Sequence, residues 1–87
     1  MSSHDATLEF AYETPSRAAL IAESVAREIG EIDDARSRTT IVHEETLVRI
    51  EIEAADVIAL RAALNTWFTL VDIAERSAEL GMETLES

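Results

Sequence analysis

At 87 residues and 9.6 kDa, the chain has the length of one domain and lies near the size at which a single core is barely sufficient, so association with a partner is expected. The 18 acidic residues outnumber the seven basic ones, all of them arginine, and the resulting charge of -11 argues against a broad phosphate-binding surface. The absence of cysteine rules out a disulfide framework and a thiolate metal site.

Abundant carboxylates without a single lysine fit a protein adapted to high salt, where charge keeps the chain soluble and repulsion is screened within a few ångströms. The hydrophobic content of 47%, with only two glycines and one proline, is that of a globular chain. The start, "MSSHDATLEF", has neither a positive region nor an apolar run, and no uninterrupted apolar stretch approaches the length of a membrane span. A cytoplasmic protein without membrane contact is expected.

In chain order, residues 6–12 alternate, with Leu8, Phe10 and Tyr12 on one side and Thr7, Glu9 and Ala11 on the other, the period of a half-buried strand. Thr14 and Pro15 then read as the cap and first position of a helix. Its apolar positions Ala18, Ile21, Ala22, Val25 and Ile29 recur at helical spacing until Gly30. Two further strands, "RSRTTIVHE" and "LVRIEIEA", are joined around Glu44 to Thr46 as a hairpin lacking Asn-Gly or Asp-Gly. Asp56 reads as the N-cap of a final helix ending before Gly81.

The order β-α-β-β-α predicts a two-layer α+β domain: a three-stranded antiparallel sheet with two helices on one face. One domain over residues 1–87 is expected, with residues 1–5 and 82–87 as flexible tails. Such a sheet leaves its edges unpaired and its far face solvated or used by a partner.

The final helix carries more apolar surface than one sheet requires. Val57, Leu60, Leu64, Trp67, Val71, Ala74 and Ala78 form one stripe; Ala59, Ala63, Thr66, Leu70, Ile73, Ser77 and Leu80 run beside it. With Phe68 the two cover well over half the circumference, beyond the roughly 100° band a surface helix needs. Small residues around Leu70 and Ile73 would let another helix approach closely, and on the first helix Leu20 points away from the apolar face. Packing between the sheet and the first helix alone would account for much of the same arc.

Catalytic chemistry has no sequence signature here. His4 lies in the N-terminal tail, and His43 with Glu44 and Glu45 reads as a solvated turn rather than a metal site. Neither glycine belongs to a phosphate-binding loop. Arg36, Arg38, Arg49, Arg61 and Asn65 could touch an RNA backbone, although pairing with the abundant acids is the more ordinary use of each arginine.

The segment "EAADVIALRAALNTWFTLVDIAE", preceded by "LVRIEIE", resembles the signature of the Pcc family, the small subunit of the KEOPS complex. Ala54, Asp56, Ala59, Leu60, Arg61, Ala62 and Asn65 stand at its positions, and the opening strand, first helix and central hairpin resemble the family throughout the chain. The hairpin departs from the family in lacking a glycine at the turn.

The resemblance implies a non-catalytic subunit without cofactor or metal, and together with the lysine-free acidic composition it implies a halophilic archaeal source. Such a protein forms a homodimer and binds the helical N-terminal part of a Kae-type transferase, alongside a Bud-family kinase-like ATPase and a Cgi-type protein. It thereby supports threonylcarbamoyladenosine modification of tRNA. On this reading Leu20, Ala63, Thr66, Leu70, Ile73 and Ser77 would dock the transferase, while Arg61 and Asn65 would contact tRNA or serve local structure. A free-standing RNA-binding module and a small ligand-binding domain are the alternatives. They would show salt-dependent RNA affinity without a partner, or stabilisation by a ligand.

Overall fold

The computed structural model describes residues 4–32 and 35–86, with side chains over 4–30 and 35–79. Its elements are β1 (His4–Ala11), α1 (Pro15–Ala26), a single turn α2 (Ile29–Ile32), β2 (Ser37–Glu44), β3 (Leu47–Ala54) and α3 (Val57–Glu86). The sheet order is β1-β3-β2, and both pairings with the central β3 are antiparallel. The expected α+β architecture is therefore present, with one short helical turn added.

Strand parity sets the two faces. Val48, Ile50, Ile52 and Ala54 of β3 are buried, whereas Glu51 and Glu53 between them are exposed. The register places Leu8 and Ile41 on either side of Ile50, so all three strands turn their apolar positions toward the same layer. The opposite face carries Asp5, Thr7, Glu9, Arg38, Thr40, Arg49, Glu51 and Glu53 and is polar. Arg49 Nε donates to Glu9 Oε2 across it at 3.2 Å.

The helix α1 begins where the sequence indicates. Thr14 is extended, its Oγ1 accepts from the Arg17 backbone N–H at 3.1 Å, and Pro15 follows at the first helical position. Its end differs from expectation: α1 stops at Ala26, the Glu28 N–H bonds to Val25 O, and the chain resumes as α2. Gly30 lies inside α2 without a positive φ, so it is not the left-handed cap that its position suggested.

At the other end of the sheet, β1 starts at His4, which places His4 and Asp5 in a strand rather than a tail. The last helix likewise outruns its expected stop. It has 30 residues and continues through Gly81, giving a length of about 45 Å against about 27 Å for an eight-residue strand.

Burial of α1 and α3 on the inner face forms one core of Ala18, Ile21, Ala22, Val25, Val48, Ile50, Ile52, Ala63, Trp67, Val71 and Ala78. Trp67 is fully buried, and its indole Nε1–H donates to Thr39 Oγ1 at 3.1 Å, which satisfies both the ring and an otherwise unfavourable hydroxyl beneath α3. By composition alone Val57–Glu79 is apolar enough to cross a membrane, with mean hydropathy 1.4. In this fold its central positions cover the sheet instead.

Candidate protein–protein interface

The wide apolar arc of α3 divides into a buried centre and two exposed flanks. Ala63 is 5% exposed and belongs to the core, and Leu70 is half-buried against that core, so neither stands on an open outer stripe. Thr66, Ile73 and Ser77 are exposed, as is Leu20 on α1; Leu80 lies outside the described side chains. Val57, placed in the inner stripe by its spacing, is half-exposed at the first position of α3.

On the other flank Phe68, 51% exposed, meets the half-buried Phe10 of β1 edge to face, with ring centroids 6.3 Å apart. Ile58 is 76% exposed. It belongs to neither apolar stripe, and sequence reasoning passed over it for that reason. Its only signal was an isoleucine on the polar side of an amphipathic helix.

Between the start of β2 and the first turns of α3 runs a groove of about 200 Å³, lined by Arg36, Ser37, Ile58, Ala59, Ala62, Ala63 and Thr66. The Thr66 hydroxyl donates to its own helix at Ala62 O, 2.9 Å away, and Thr69 does the same to Asn65 O at 3.0 Å. With their hydroxyls satisfied internally, these residues add little demand for solvent to a surface of small side chains. Arg61 and Asn65 are both exposed and share a shallow depression with Val57, Ile58 and Ala62. Arg61 is in no ion pair among the described residues.

Two polar contacts fix α3 against its neighbours. Asp56 caps it by accepting the Ala59 N–H at 2.8 Å and also pairs with Arg36. The Ala59 hydrogen bond, then the Arg36 guanidinium, hold the Asp56 carboxyl below the ordinary carboxylate range. Farther along, the Tyr12 hydroxyl donates to Glu75 Oε2 at 2.7 Å, and burial, followed by the Glu75 hydrogen bond and charge, pushes the phenol well above its usual value. No group of three or more metal-binding side chains occurs among the described residues. His43 sits at the hairpin, its Nε2–H donating to Glu45 O at 2.9 Å.

This arrangement, a two-layer sheet with a long capped helix exposing apolar flanks, can be set beside known proteins. Residues 5–79 match the family described as Transcription factor Pcc1. The chain belongs to the Pcc1 family. A solved structure titled "Crystal structure of binary complex Gon7-Pcc1" has a similar fold, with a TM-score of 0.79 at 15% identity, covering 92% of this chain and 98% of that one. No curated protein matches the sequence. The Pcc1 family match spans β1 through most of α3, including the Asp56 cap and both exposed flanks.

Proposed function

We propose that this Pcc1-family chain is a non-catalytic scaffold subunit of a KEOPS complex. As a homodimer it docks a Kae-type threonylcarbamoyl transferase through that protein's helices, and so supports threonylcarbamoyladenosine modification of tRNA. Family membership supplies the complex. The observation that carries the docking mode is the exposure of Leu20 (46%) and Ile73 (52%) on helices whose opposite sides are tightly packed. Thr66 and Ser77 extend the Ile73 side with small side chains, leaving room for another helix to approach. Arg61 and Asn65 are the candidates for tRNA contact within the assembled complex. The acidic, lysine-free composition supports adaptation to high salt, as in a halophilic archaeon.

The test replaces both exposed apolar residues, as Leu20→Glu with Ile73→Glu. Because neither is buried in the free protein, circular dichroism and the melting curve should be nearly unchanged. Desolvating two carboxylates against apolar helices should weaken capture of the transferase about a hundredfold or more. A folded double variant that binds the transferase normally would place docking elsewhere. Leu70 is unsuitable for this test, since its contact with the core would confuse lost binding with lost folding.

A further inference from the structure

The start of α3 breaks the charge pattern of the chain. From Val57 to Val71 its one charged side chain is Arg61, in a protein with 18 acidic residues. The acids that keep the rest of the surface soluble are thus missing over about four turns of a helix whose outer side is exposed.

On that outer side Arg61, Asn65 and Phe68 stand at i, i+4 and i+7, within about 60° of one another around the helix. All three are exposed, Phe68 by 51%. Among the described residues Arg61 is in no ion pair and the Asn65 side chain makes no hydrogen bond. The edge-to-face contact with Phe10 engages at most one face of the Phe68 ring and leaves the other open. The next acids along α3 are already committed, Asp72 to Arg76 at 3.2 Å and Glu75 to the Tyr12 hydroxyl. The strip therefore offers a π-face, a free amide and a free cation together.

We infer that this strip binds an unpaired segment of RNA: one base stacks on Phe68, the Asn65 amide hydrogen-bonds a base edge, and Arg61 holds a flanking phosphate. This rests on the tRNA contact proposed above for Arg61 and Asn65, and adds the stacking residue and the kind of nucleotide read. The base must be unpaired, because inside a duplex both its faces are covered by neighbours and no ring on a rigid helix can reach them. Arg61 leans toward the start of α3, away from Phe68, so it meets a neighbouring phosphate rather than that of the stacked nucleotide.

Salt sets the balance among these contacts. At about 1 M the Debye length is about 3 Å, which screens both the repulsion from the -11 charge and the attraction of one arginine, whereas stacking persists. Binding therefore depends on Phe68 more than on Arg61. Its fall with salt is no steeper than a logarithmic slope of about -0.7, the value for one phosphate on a single strand.

The probe is an oligouridylate titrated into the full chain in molar salt and followed by NMR, with circular dichroism confirming the fold of each variant. Amide shifts should centre on residues 61–68, and the uridine ring protons should move upfield, the ring-current mark of a base lying over Phe68. Phe68→Leu keeps an apolar contact for Phe10 and should weaken binding about tenfold or more, whereas Phe68→Trp should restore it. Arg61→Gln should cost about threefold or less. An abasic oligomer of the same length should bind wild type no better than the oligouridylate binds Phe68→Leu. Binding that ignores the Phe68 change, or an abasic oligomer that binds equally well, would reduce the strip to a phosphate contact and overturn the inference. Absence of any shift would overturn it outright, and loss of transferase capture in Phe68→Leu without any RNA effect would give the face to a protein.

A second measurement separates this site from the role in the complex. In the assembly with the transferase, Phe68→Leu should lower tRNA modification about tenfold or more while the transferase is still captured. Unchanged modification beside lost oligouridylate binding would leave the nucleotide site standing and refute its use for tRNA.

Discussion

Two residues illustrate how local chemistry sets the stability of this chain. Asp56 holds the start of α3 through the Ala59 N–H and also binds Arg36, and both interactions favour its charged form. Because its folded pKa is depressed, its contribution is complete above the unfolded value near 4 and disappears as pH falls through the lower folded value. Asp56→Ala should lower the melting temperature at pH 7, and the difference from wild type should shrink progressively below pH 4; thermal melts across that range measure it. Glu45 offers the opposite opportunity. It is the one described non-glycine residue with a positive φ, at 49°, in the two-residue turn between β2 and β3. Glu45→Gly should relieve the steric cost of that conformation and stabilise the fold by about 0.5–1 kcal/mol in urea titrations, despite the greater freedom of glycine when unfolded.

At the level of elements, a buried polar pair, Trp67 with Thr39, ties α3 to β2. Thr39→Val keeps the shape but leaves the Trp67 N–H without its acceptor in the core, and should cost about 1–3 kcal/mol of unfolding free energy by denaturant titration. Strand alternation at Val48, Ile50 and Ile52, the Thr14-Pro15 start and the Asp56 cap were all legible in the sequence, because each depends on local periodicity or on backbone groups a few residues away. The limits of α1 and α3 were less legible. Gly30 and Gly81 are good helix terminators by propensity, yet both lie within helices here. The interface suffered in the same way: periodicity identified a broad apolar arc, but only tertiary packing assigns Ala63 to the core and leaves Ile58, Phe68 and Ile73 in solvent.

For the whole molecule, charge is the dominant condition on stability. With -11 formal charges and exposed carboxylates along α3 and the open sheet face, self-repulsion opposes the compact state until salt screens it. The melting temperature should rise as sodium chloride increases from tens of millimolar to molar, and a flat or falling dependence would contradict this account. The proposed scaffold role would make a similar demand, since surfaces open to partners must remain soluble in the free chain. The buried tryptophan also gives the protein an internal optical reporter. As the sole indole, fully enclosed and hydrogen-bonded to β2, Trp67 should emit at short wavelength in the native state and shift to the red on unfolding, so its emission follows the separation of α3 from that strand without any attached dye.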